Sequence, residues 1–227
     1  MHAHPPGSLL RESEPFVRSL DDSPVVGKVI NGNADEQEYV RFLTASYHYV
    51  RWSGFLLAQT AVGLRRSGRC RHLLSALDVK AAEEGPHDRW LLRDLARCRV
   101  NPELVKGAPV PSAVRAYVSF GLALAEAGSP GFLGAAYVLE LISAMRAQAA
   151  ARNLRGRGKI ENIAQALSFL EGHGEADPGH VQELDRMLES IEDPQDLSDI
   201  HLSASAMRRL YPRFFVVAPP AEASCFV

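Results

Sequence analysis

Three short stretches carry residues able to bind a metal. The first is His173-Gly-Glu-Ala-Asp177-Pro-Gly-His180. It lies in an amphipathic run from Ile160 to Ile191 that reads as one long helix. At about 100° per residue, Asp177 falls about 40° to one side of His173 and His180 about 20° to the other. Two imidazoles and a carboxylate then share a strip about 60° wide, on the face that also carries Leu170 and Leu184. Side chains at i, i+3 and i+4 can converge on one ion. The octapeptide can equally be read as an Asp-Pro-Gly turn with its histidines hydrogen-bonded in the core. The other two stretches bear on the choice.

The second is Ala82-Glu-Glu84-Gly-Pro-His87-Asp-Arg-Trp90, in which Glu84 and His87 form an i, i+3 carboxylate–imidazole pair. Pro86 removes a backbone donor and should bend the helix there. The third is Glu140, the only acid between Glu126 and Glu161, in the apolar run Phe132 to Met145. A carboxylate inside an apolar helix is costly unless it is paired with a cation. A salt bridge to an arginine would also meet that need.

The elements that must hold these residues read as helices throughout. Residues 1–33 are rich in Pro, Gly and Ser and read as an arm with about one helical turn near Leu9 to Leu20. A helix is expected from about Ala34 to Arg66, a second from about Cys70 to Arg97 and a third from about Ser112 to Ala127. Residues 100–110 read as a connector. A fourth helix starts after Ser129-Pro130 and ends near Asn153, the fifth is the 160–191 run with a kink at Pro178, and the last covers about Leu197 to Tyr211. A helical domain over residues 34–215 follows, with a loosely held tail at 216–227.

Composition narrows the class. The chain has 227 residues, 46% of them hydrophobic, and a formal net charge of −2. That suits one core and gives no footprint for nucleic acid. No apolar run approaches the length needed to span a membrane. The start, MHAHPPGSLLRESEP, lacks the pattern of a secretory signal. Cys70, Cys98 and Cys225 form no paired motif, which suits a reducing cytoplasm and argues against a disulfide framework.

Carboxylate bundles that bind two irons use a lone Glu from each of two helices and a Glu-x-x-His from each of the other two. This chain offers Glu84-x-x-His87, Asp177-x-x-His180, Glu140 and the extra His173. Oxygen and imidazole donors without thiolate suit iron or manganese. The stretches Glu84-Gly-Pro-His87-Asp-Arg-Trp-Leu-Leu-Arg-Asp-Leu, Tyr137-Val-Leu-Glu140 and His173-x3-Asp177-x2-His180 resemble the haem-oxygenase-like diiron oxidases, also called iron-containing redox enzymes, over roughly residues 35 to 215. The resemblance implies an all-α bundle of about seven helices, commonly a homodimer. It also implies a labile centre of two Fe(II) ions that uses dioxygen as co-substrate. Members oxidise small molecules by N-oxygenation, desaturation or C–C cleavage, so an amino acid, amine or fatty acid is the expected substrate, with an external reductant where one is needed.

The chain departs from the family in one place. A further Glu is usual on the first core helix, yet no Asp or Glu occurs between Glu38 and Asp78. His48 is the residue there that could stand in as an additional ligand. Tyr47, Arg51 and Tyr137 are candidates for the substrate pocket, Arg51 because it suits a carboxylate. Three rival readings are a haem-binding or haem-degrading protein with His48 as axial ligand, a hydrolase using Cys70 or Cys98 beside a carboxylate, and an inactive helical scaffold. In a scaffold the inward acids would be paired with Arg or Lys.

Overall fold

The computed structural model describes residues 7–216, and the helices appear in the order in which the chain is read. They are α1 (Ser8–Ser19), α2 (Val26–Ile30), α3 (Glu36–Val50), α4 (Ser53–Ser67), α5 (Leu74–Glu84), α6 (Asp88–Arg97), α7 (Pro102–Gly107), α8 (Ser112–Glu126), α9 (Phe132–Arg157), α10 (Ser168–Glu189) and α11 (Pro194–Phe214). No strand occurs among the described residues. The tally exceeds seven because two expected helices are each broken in two and short helices fill the arm and the connector. His2, His4, Cys225 and nearly all of the tail lie outside the described residues.

The longest helix, α9, is the axis of the bundle. It is apolar on nearly every side over its first half and packs against α1, α2, α4, α8, α10 and α11. A helix with apolar residues all round belongs in the core. The arm is more ordered than its composition implies: Leu9 and Val17 of α1 are buried, and α1 packs on α9 and α11. Pro and Gly dominate the local pattern of the arm, and only the neighbours α9 and α11 cover its apolar stripe.

The first expected helix begins two residues later than expected, with Asp35 capping α3 through a reciprocal box with Glu38. It then breaks at Arg51-Trp52. The second breaks at Gly85-Pro86-His87, where Pro86 has no N–H to donate. There the chain closes one tight turn with i to i+3 bonds, His87 to Glu84, Arg89 to Pro86 and Trp90 to His87, at 3.0–3.3 Å. Gly54 lets α4 press on this turn, because a Cβ there would lie 2.7 Å from the Ala81 carbonyl oxygen and 2.8 Å from the Gly85 nitrogen. The fifth helix begins at Ser168, after a 3-10 turn at Ile163–Gln165, and runs through Pro178 without a break.

Two anchors set α10 against its neighbours. Gly174 gives the close approach to α9, since a Cβ there would be 2.8 Å from the Gln148 backbone nitrogen. Asp94 of α6, fully buried, caps the start of α10: its carboxylate accepts from the Phe169 N–H at 2.8 Å, the Ser168 N–H at 3.1 Å and the Ser168 hydroxyl. A carboxylate at a helix N-terminus answers both the unpaired N–H groups and the helix dipole. Asp94→Ala is expected to cost about 2–4 kcal/mol and to lower the melting temperature while the far-ultraviolet helical signal persists. A melting temperature equal to that of the parent would show that Asp94 does not hold α10.

Candidate metal centre

Glu84 ends α5 and His87 sits in the turn before α6, so the proline break aims both side chains inward. Glu84 Oε2 lies 3.1 Å from His87 Nδ1. His173, one turn into α10, brings its ring within 4.8 Å of the His87 ring, centroid to centroid. Ligand atoms of Glu84, His87 and His173 all lie within 4.8 Å of one another, and so do those of Glu84, Glu140 and His180. Glu84 belongs to both groups. Asp177 completes the set, with Oδ1 3.4 Å from His180 Nδ1. Five of the six residues are buried, and the His180 side chain is 14% exposed.

The surroundings shift these groups in different directions. The Phe169 carbonyl takes the Nδ1–H of His173 at 3.0 Å, which leaves Nε2 as the free donor. Burial, helped by the neighbouring His87, lowers the His173 pKa to about 4, so the ring is neutral. Burial, with the charges of Glu140 and Glu84, raises Asp177 to about 7. Burial also acts to raise Glu140, but His180 and Lys80 outweigh it and bring the pKa down to about 2. Asp177 and Glu140 in turn raise His180 to about 10.

These residues fit a cation. Glu84 Oε1, both Asp177 oxygens and His180 Nδ1 are buried without a well-aligned hydrogen bond. The approaches of His180 to the acids, 3.4–3.9 Å, are ion-pair distances. Buried polar atoms are nearly always paired, so these four atoms of metal-donor type call for positive charge; the Lys80 ammonium, also without a well-aligned hydrogen bond, supplies part of it 3.6 Å from Glu84 Oε1.

A narrow cavity of about 40 Å³ opens against the cluster, lined by Glu84, Glu140, His173 and Asp177 on one side and by Tyr49, Ser53, Tyr117, Phe132 and Ser143 on others. A second, of about 30 Å³, shares Tyr49, Ser143, Phe169 and His173 with it and is otherwise mostly apolar. The residues expected to line a pocket lie elsewhere. Tyr47 and Arg51 stack on each other, with the guanidinium carbon 5.5 Å from the ring centroid, and line neither cavity. Tyr137 is fully buried and lines neither. His48 is buried against Tyr47 and joins neither donor group. The cavity receives Tyr49 because two residues along a helix turn a side chain about 200° round its axis.

Sequence reasoning also passed over Lys80 and Trp90. Lys80 is 2% exposed and its Nζ is 2.8 Å from Glu140 Oε1. Trp90 stacks on His87 at 4.3 Å. The i, i+4 spacing of Lys80 to Glu84 and the i, i+3 spacing of His87 to Trp90 were the available signals.

Helices that converge on inward acids and imidazoles define an all-α protein with a candidate metal centre. The model of the family described as iron-containing redox enzyme, haem-oxygenase-like, matches residues 40–211, and the chain belongs to that family. Solved structures share the haem-oxygenase-like fold. A domain of unknown function from Shewanella denitrificans OS217 superposes with a TM-score of 0.78 at 21% identity, covering 91% of this chain and 88% of its own. A TenA homologue from Pseudomonas syringae pv. tomato DC3000 gives 0.73 at 13% identity, covering 91% and 89%. Another from P. horikoshii OT3 gives 0.67 at 16%, covering 91% and 94%. No curated protein matches. Among the described residues no helix is long and apolar enough to cross a membrane.

The shifted groups make the stability of the metal-stripped protein depend on pH. Glu140, lowered to about 2, adds stability that is lost as pH falls below 4.5. His173, lowered to about 4, and Asp177, raised to about 7, act in opposite directions between those values. His180, raised from 6.5 to about 10, holds its proton more tightly when folded, so its contribution is complete below 6.5 and lost as pH rises toward 10. Denaturant melts should therefore show stability falling from pH 6.5 to 10 in the parent and a flatter alkaline arm in His180→Gln. Identical alkaline slopes would exclude His180 as the group responsible.

Proposed function

We propose that the protein is a non-haem iron oxidase or oxygenase acting on a small molecule, with Glu84, His87, Glu140, His173, Asp177 and His180 holding the metal. What supports this reading is one observation: two overlapping donor groups on four helical segments share Glu84, and their members Glu84, Glu140 and His173 line a cavity. The family membership and the absence of any cysteine from both groups agree with iron. The donors divide into two positions, one served by Glu84, His87 and His173 and the other by Glu84, Glu140, Asp177 and His180.

Iron, if held by these residues, would supply the electrons for reducing dioxygen, with an external reductant where the reaction needs one. The rest is the work of the chain. Phe169 O fixes the His173 ring so that Nε2 faces the donors. Phe132, Leu57, Leu139 and Phe169 keep water from the cavity, and the hydroxyls of Tyr49, Ser53, Tyr117 and Ser143 are there to orient a substrate. A volume of about 40 Å³ holds about three waters. A substrate of amino-acid size therefore enters only as lining side chains swing aside.

The rival readings differ in support. His48 lines neither cavity, which takes from the haem reading the axial ligand it named. Cys70 does lie beside a carboxylate, 3.3 Å from Asp196 Oδ2, but on an outer hollow remote from the donors' cavity. Its thiol is pushed up to about 12 by burial and by Asp196, the reverse of an activated nucleophile. Cys98 is buried and lines no cavity beside the donors. An inactive scaffold gains one point, the ion pair of Lys80 with Glu140.

Anaerobic titration with ferrous ion, followed by an oxygen electrode, tests the proposal. At least one equivalent should bind tightly, and oxygen uptake should follow the iron loaded. His173→Ala should weaken binding by about 100-fold or more, and His48→Ala should leave it unchanged. Equal iron uptake by His173→Ala and the parent would remove the assigned donors.

A further inference from the structure

Lys80 lies one turn before Glu84 on α5, buried to 2% exposure. Its Nζ is 2.8 Å from Glu140 Oε1 and 3.6 Å from Glu84 Oε1. Both acids belong to the second donor group, so the ammonium stands on the carboxylates that a second metal would use. A buried ammonium is retained only where acids answer its charge. The balance of formal charge agrees. A cage of four carboxylates is neutralised by two divalent ions. Here the acids facing the site are Glu84, Glu140 and Asp177, and Lys80 offsets one of them; with His180 giving up its proton to serve as a ligand, the remaining deficit is what one divalent ion fills. The acid missing between Glu38 and Asp78 and the lysine at 80 thus move the site in the same direction, away from two metals.

We propose that Lys80 is a built-in cation that takes the place of a second metal, so that the protein loads one divalent ion at Glu84, His87 and His173 and admits another only when Lys80 is displaced. The inference rests on the metal reading of the site. His180 and Asp177 complete the Glu140 side, His180 Nδ1 being 3.4 Å from Glu140 Oε2. The two positions are therefore unequal before any metal arrives. Because Glu84 serves both groups, the first ion draws on its charge, and the ammonium is left to Glu140. A second ion has to expel a positive group already in contact with its ligands.

Calorimetric titration of the full chain with Mn(II) alone, under argon, reads the stoichiometry directly. The parent should bind one equivalent, with any second at least about 100-fold weaker. Lys80→Met should bind two equivalents within about tenfold of each other, and Lys80→Arg should behave as the parent. Should Lys80→Met not fold by circular dichroism, Lys80→Gln carries the same expectation. Two equivalents of similar affinity in the parent, or a single equivalent in the folded neutral variant, overturns the proposal. A parent that binds no Mn(II) or Fe(II) removes the metal reading itself.

Discussion

Charge taken out of water has to be answered by opposite charge, and that requirement organises the centre of this molecule. Glu84, Glu140 and Asp177 come from α5, α9 and α10, and all three are buried. Each alone would be too costly to keep ionised in an apolar interior. Together they are tolerable only with positive partners in reach, and the chain supplies Lys80 and His180 at 2.8–3.7 Å. On the opposite side the His173 ring, neutral through burial, is held by Phe169 O, and His87 is held by Glu84. The site is thus partly neutralised from within and partly open.

The helices are shaped to make that convergence possible. A continuous helix through residues 74–97 would place Glu84 and His87 on a steady spiral. Pro86 interrupts it, and Gly54 lets α4 seat closely behind the turn. Across the bundle, Asp94 joins α6 to the first turn of α10, so the segment after His87 and the one bearing His173 are tied at 2.8–3.1 Å. The donors are held by caps and close backbone approaches more than by the size of the core.

Much of this was legible in the sequence, and the parts that were not share a cause. Spacing within a helix is local, so Glu84-x-x-His87 and the strip from His173 to His180 could be read as facing one way, as could the lone acid at 140. The all-α class followed from the same periodicity. For Lys80 the i, i+4 spacing to Glu84 is a weak signal, because Asp-Val-Lys-Ala-Ala looks like any solvated face until Glu140 of α9 is laid against it. The choice of Tyr49 over Tyr47 depends on how α3 is rotated about its axis, which tertiary packing sets. The helical arm failed for the same reason: Leu9 and Val17 make a stripe only a neighbour can justify. Pro178 lies inside α10, where the flanking turns carry the helix past it.

Trp90 gives the centre an optical handle. Its indole lies parallel to the His87 ring at 4.3 Å and edge-on to His173 at 5.3 Å, while the chain's other tryptophan, Trp52, sits beside Arg51 and Phe55. An imidazole in face contact exchanges charge with an excited indole according to its own electronic state. One of the protein's two tryptophans therefore reports from one wall of the donor cluster, and the colour and brightness of its light follow the electronic state of His87 and His173.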